Sequence, residues 1–343
     1  MDVFATPAGA VDSLMARGAA FLGTRYAILG GAMSWVSERN LVAALSNAGA
    51  FGVIACGAMM PDRLAEEIAG TQALTDKPFG VNLITMHPNL MELVQVCLDA
   101  KVGHIVFAGG IPPGPAIKAA KEGGAKVICF APALALAKKL VRSGADALVI
   151  EGSEAGGHIG PVSLTVLAQE ILPHIRDVPV FVAGGIGRGE AILSYLEMGA
   201  AGVQIGTRFV CATESIAHPN FKRAFIRGAA RDAMPTVQLD ESFPVIPVRA
   251  LQNEGTKRFL EHQAEVIRRY KAGEVAKEAG QLDIEHFWAG ALRRAVIDGD
   301  VENGSLMAGQ SVGMVTKEQP AAEIIAELLE QAQAALTARR AGA

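Results

Sequence analysis

Within the stretch Glu151-Gly-Ser-Glu-Ala-Gly-Gly-His158-Ile-Gly160, His158 is the one bulky side chain that titrates near neutral pH. Four glycines in ten residues let the backbone turn sharply and come close to a bound molecule. A histidine so exposed suits proton transfer or the polarising of a carbonyl. Glu151, at the start of the loop, either bonds a sugar-like hydroxyl or sits in a solvated salt bridge. Two more apolar runs end in glycine-rich turns, Ala183-Gly-Gly-Ile-Gly187 and Gly206-Thr-Arg208. Bare N–H groups at such turns, beside a helix start, form phosphate sites. Phe79-Gly-Val-Asn82 leaves an amide at the end of a strand, as a ligand contact or a turn former. Met33, in Gly30-Gly-Ala32-Met33-Ser-Trp35, either lies over a flat ring or fills the core.

Other chemistries lack their residues. The Ile150-Glu151 strand end carries no lysine for a Schiff base, and the loop after it has no cysteine nucleophile. The seven histidines form no His-x-His or His-Glu-x-x-His pair, so no metal site is expected. Glu190 stands where the third glycine of Gly-x-Gly-x-x-Gly would fall, which excludes a Rossmann nicotinamide site. No Gly-x-x-x-x-Gly-Lys-Ser/Thr segment supports ATP chemistry.

The elements that position these residues recur regularly. Short apolar runs predict strands at 27–30, 52–55, 79–83, 104–108, 127–131, 147–150, 180–183 and 203–206. Helix-period segments lie between them, such as Leu90-x-x-Leu93-Val94-x-x-Cys97-Leu98, and tend to stop at Gly49, Gly103, Gly124, Gly144 or Gly199. Eight strand–helix units in series predict an α/β fold, a (β/α)8 TIM barrel, with its site at the C-terminal ends of the strands. His158 then follows the sixth strand, and the two phosphate-type turns follow the seventh and eighth. Residues 1–214 read as the main part of the barrel. Residues 215–300 are polar, helical in pattern and poor in strand signals, and read as a small helical domain. Residues 301–343 return to the barrel, with Ala321 to Arg340 as an amphipathic cover and the last three residues frayed.

The 343 residues are half hydrophobic and 19% charged, with a net charge of −4. That balance gives no basic footprint for nucleic acid, and no apolar run is long enough to span a membrane. No signal-peptide pattern opens the chain. The four cysteines are widely spaced and three lie in or beside apolar runs, as expected of buried thiols in a reducing cytoplasm.

Taken together, Gly31-Ala-Met33, Phe79-Gly-Val-Asn82, Glu154-Ala-Gly-Gly-His158-Ile-Gly160, Ala183-Gly-Gly-Ile-Gly187 and Gly206-Thr-Arg-Phe209 resemble the nitronate monooxygenase superfamily of FMN-dependent barrels. The resemblance runs from about Tyr26 to Lys317 and leans toward the second type of enoyl-acyl-carrier-protein reductase. Gly157-His158-Ile-Gly160 and Ala295-Val-Ile-Asp-Gly-Asp-Val-Glu-Asn-Gly-Ser305-Leu-Met-Ala-Gly-Gln310 carry that lean. It implies tightly bound FMN with its phosphate on Gly184, Gly185, Gly206 and Thr207. It further implies Ala32, Met33 and Asn82 on the ring, Glu151 and Gly156 on the remaining edge, and His158 facing the reactive side. NAD(P)H would be a transient reductant and an enoyl thioester the acceptor. Oxidation of alkyl nitronates by O2, quinone reduction and a non-catalytic flavin-binding barrel are the alternatives. A homodimer is one assembly the resemblance allows.

Overall fold

Mostly buried, largely apolar runs form the strands, as expected in a parallel sheet whose two faces are both covered. A computed structural model describes residues 10–57 and 59–341; of the last three residues, expected to fray, Ala341 instead closes the final helix, and 342 and 343 lie outside the described residues. The barrel strands are β1 (Ile28–Gly30), β2 (Gly52–Ala55), β3 (Phe79–Ile84), β4 (His104–Ala108), β5 (Lys126–Phe130) and β6 (Ala147–Glu151). After a two-residue strand β7 (Gly157–His158), the barrel continues with β8 (Val180–Ala183) and β9 (Gly202–Ile205). All eight barrel strands run parallel in the order β1-β9-β8-β6-β5-β4-β3-β2. The sheet closes on itself where the Gly30 N–H donates to the Phe51 carbonyl at 2.9 Å and the Phe51 N–H to Ile28 at 2.8 Å. The protein is therefore an eight-stranded β/α barrel.

Helices α1 (Ala10–Leu22), α2 (Arg39–Asn47), α3 (Pro61–Leu74), α4 (Leu90–Asp99), α5 (Gly114–Glu122) and α6 (Leu134–Arg142) belong to its first part. Then come α7 (Leu164–Ile171), α8 (Gly189–Glu197) and the single turn α9 (Thr207–Val210). Gly49, Gly124, Gly144 and Gly199 take positive φ after their helices, whereas after α4 the left-handed residue is Lys101, at φ 55°, not Gly103. The last helix, α13 (Ala321–Ala341), follows three others, α10 (Pro219–Arg227), α11 (Glu254–Lys271) and α12 (Lys277–Val296). It crosses α8 so closely that a Cβ on Gly189 would lie 2.0 Å from the Leu328 carbonyl.

Between β9 and α13 the chain also holds strands that its polar composition concealed. β10 (Ala233–Pro235), β11 (Val248–Leu251) and β12 (Leu306–Met307) form a small antiparallel sheet, and β7 joins it by pairing with β11. Each strand is two to four residues long and partnered far along the chain, so none leaves a local period. Beside this sheet α11 and α12 enclose a second apolar cluster, Phe243, Val248, Phe259, Val266, Ile284 and Trp288. Within it the Phe259 and Trp288 rings lie 4.1 Å apart. The reading of this stretch as helical alone is corrected: a sheet of four short strands ties it to the loop after β6.

Candidate active site

All the turns named above, the loop after β6 included, lie at the C-terminal ends of barrel strands. After β1, Ser37 braces the turn: its hydroxyl donates to the Gly31 carbonyl at 2.7 Å and accepts from the Met33 N–H at 3.0 Å. Gly31 donates to Ile205 at 2.8 Å, binding this turn to the end of β9. Met33 then lies against Gly206, where an added Cβ would be 3.4 Å from the Met33 sulfur. Ala32 and Met33 are both partly buried against the core. Asn82 is buried on β3, its Nδ2 donating to the Val106 carbonyl at 3.2 Å. The structure thus brings Met33 beside Gly206 and sets Asn82 two strands away.

The loop after β6 is clamped from several sides. Gly152 donates to Ala183 at 2.9 Å. The Glu154 carboxylate accepts from the Leu164 N–H at 2.9 Å, at the start of α7. Arg249, on β11, donates from Nη2 and Nε to the Ser153 carbonyl at 2.8 and 3.0 Å. The C-terminal segment closes over the loop: Gln310 donates to the Glu154 carbonyl at 2.9 Å, and Gly309 to the Thr207 hydroxyl at 3.0 Å. Only a residue without a Cβ fits at 156, because that atom would lie 2.5 Å from the Gly309 nitrogen. Among the described residues the Thr207 O–H has no acceptor and stays available for donation. Gly184 and Gly185, at φ 100° and 69°, border a cleft of ≈ 350 Å3 shared with Glu154, Tyr195, Gln310 and Met314. Gly206 has an ordinary φ of −110° and caps α9.

Two titratable groups meet here. Burial pushes the Glu151 carboxyl up to about 7, opposed by the nearby charge of His158. Among the described residues nothing hydrogen-bonds that carboxyl, so it carries a donor and acceptor capacity that a bound hydroxyl could satisfy. His158 sits on β7 opposite Val248, and its Nε2 lies 2.8 Å from Glu285 Oε2 on α12. Glu285 lies 127 residues further along the chain, and no local pattern could have marked it. Trp35 also escaped the residue-by-residue reading. Its φ of 67° is rare for a bulky side chain, and Arg293 of α12 lies 5.8 Å over its ring.

With this geometry in view, the comparisons with known proteins are consistent. The model of the nitronate monooxygenase family matches residues 16–331, and the chain belongs to that family. It is a flavin-dependent oxidoreductase. A relative from Rhodococcus jostii, 30% identical over 86% of this chain and 89% of its own, is named a 5-hydroxy-7a-methyl-1-oxo-octahydro-1H-indene-4-carboxyl-CoA dehydrogenase. FabK from Thermotoga maritima superposes with a TM-score of 0.85 at 35% identity, covering 98% of this chain and all of that one. A nitroalkane oxidase from Streptomyces ansochromogenes gives 0.75 at 28% identity, over 91% of this chain and 96% of its own.

Proposed function

We propose that the protein reduces the α,β double bond of an apolar acyl thioester, drawing hydride from NADH or NADPH through FMN. The observation that carries this reading is an apolar rim around the mouth. Trp35, Met60, Met86 and Ile111 follow β1, β2, β3 and β4 in turn, and all are exposed, Met86 by 81%. Ile246, just before β11, and Leu282, on α12, are exposed as well. Exposed apolar groups that follow four neighbouring barrel strands mark a binding surface. An extended acyl chain would cover such a rim, whereas a short nitroalkane needs none of it.

Bound FMN supplies the hydride chemistry, and the protein's work is to hold and orient it. Gly184, Gly185, Gly206 and Thr207 would receive the phosphate through backbone N–H groups and a hydroxyl. Ala32, Met33 and Asn82 would meet the ring. Glu151, half protonated near neutrality, would bond the hydroxylated chain, and Gly156 would leave room beside it. These assignments fit two observations: a Glu151 carboxyl without a hydrogen bond to any described residue and a cleft bordered by bare glycine backbone. His158 would hydrogen-bond the thioester carbonyl and deliver the α-proton.

Anaerobic stopped-flow on the purified protein tests the proposal. NADH or NADPH is expected to bleach the flavin, and a crotonyl thioester to restore its colour. His158→Ala should slow the reoxidation on the order of 100-fold and leave the bleaching intact. Bleaching by an alkyl nitronate alone would overturn the proposal. That outcome would favour the second reading, oxidation of nitronates by O2, for which the likeness to the nitroalkane oxidase speaks.

A further inference from the structure

We infer that Glu285 is the positioning residue for His158, holding its imidazole with the hydrogen on Nε2 and leaving Nδ1 to face the substrate. The inference rests on the reading above that His158 meets the substrate. An ionised carboxylate can only accept, so at 2.8 Å the Nε2 atom must carry the shared hydrogen. The neutral ring is thereby the Nε2–H tautomer, with its lone pair on Nδ1. A protonated ring keeps its Nε2–H on Glu285 and can give up the proton on Nδ1, returning to that same tautomer. One proton leaves, no other bond changes, and the ring does not turn over.

The architecture supports this role. The backbone of His158 is held opposite Val248, and Ile159 donates to the Pro247 carbonyl at 3.0 Å. Those contacts fix the Cα but leave the ring free to rotate; Glu285 removes that freedom. Glu285 is itself well placed, because Ile284 beside it and Trp288 three residues on are buried in the module core. Eight residues further along α12, Arg293 lies over Trp35, so the same helix is tied to the β1 turn. The charged groups that act on His158 are Glu285 from α12 and Glu151 from β6, while Arg249 of β11 pairs with the neighbouring Gly157. The Arg249 guanidinium is already committed to the Ser153 and Ala233 carbonyls, which leaves Glu285 as the ring's direct partner.

The test uses the flavin-loaded protein with 15N-labelled histidine and three variants, Glu285→Ala, Glu285→Gln and His158→Ala, the last of which also assigns the His158 signals. At a pH where imidazole is neutral, the wild type should show a protonated Nε2 and an unprotonated Nδ1 at His158. Glu285→Ala should give a mixture of tautomers and slow reoxidation by the crotonyl thioester about 10- to 100-fold, with bleaching by the nicotinamide unchanged. Glu285→Gln, whose amide oxygen still accepts, should keep the tautomer and recover most of the rate. An unchanged tautomer and rate in Glu285→Ala would overturn the inference. So would a rate lost equally in the Ala and Gln variants without a change of tautomer. If His158→Ala turns over like the wild type, the role given to His158 falls instead, and the tautomer alone then decides whether Glu285 sets the ring.

Discussion

Residue types at the barrel mouth reveal less than their surroundings do. Glu151 could be read as a carboxylate near a ligand, but only the burial of its carboxyl shows that its pKa is pushed up to about 7. The sign of its effect on stability follows. Folding raises its pKa from about 4.5, so the folded state binds the extra proton and stability falls as pH rises from there to about 7. Glu151→Gln should therefore stabilise the flavin-free protein at pH 8, by up to about 3 kcal/mol, and have little effect at pH 4. Urea unfolding at both pH values checks this; an equal difference at the two would show that burial does not govern the carboxyl. His158 was legible from its glycine neighbours, whereas its partner Glu285 was not, because only folding brings α12 to the loop.

At the scale of elements, the site depends on two loops pressed together without side chains between them. Ala308 and Gly309 lie directly on Gly156, so Gly156→Ala sets a Cβ 2.5 Å from backbone that cannot swing aside. The expected cost is about 1–3 kcal/mol of overpacking, accompanied by loss of flavin on gel filtration. Gly157→Ala meets only the Met307 sulfur at 3.6 Å. Its cost is the left-handed backbone at φ 75°, about 1 kcal/mol. Thermal melts should thus rank Gly156→Ala as the more damaging, and the reverse order would refute the seating of the C-terminal loop. The barrel strands could be read to within a residue or two, because each is a short, largely apolar run between turn or helix signals. β7, β10, β11 and β12 could not, since a strand of two to four residues is defined by its partner and not by its own period.

For the whole molecule, the proposed site and a buried histidine that bears on stability occupy opposite ends of the barrel. At the end where strands begin, α1 crosses the opening, and His104 points its Nε2 at the Phe21 carbonyl, 3.1 Å away. Phe21 and Phe51 meet its ring edge-on at 5.4 and 4.9 Å. Burial drives its pKa from 6.5 down to about 4. The unfolded chain therefore takes up a proton that the folded one refuses, and stability falls as pH drops from about 6.5 to about 4. This one group accounts for up to about 3 kcal/mol of acid sensitivity. His104→Gln, which keeps a donor for Phe21, should flatten the dependence of urea midpoint on pH across that range; an unchanged slope would place the sensitivity elsewhere. The four cysteines are all free and buried, and burial pushes the Cys56 thiol up to about 11. None is poised as a nucleophile at neutral pH.

Eight apolar runs at barrel spacing, glycine turns after the last strands and one exposed histidine determined the fold class and the face that carries the site. Those features are local: a buried strand must be apolar along its length, and a close-approach turn must lack side chains. The tertiary structure alone decided what surrounds His158. Its backbone pairs with β11, its ring meets Glu285, and the loop that carries it is sealed by Gly309 and Gln310. Each of those contacts joins segments roughly ninety to one hundred and fifty residues apart. No spacing along the chain encodes them, because they arise only when the module docks on the barrel and buries its own Phe259–Trp288 core beside the mouth.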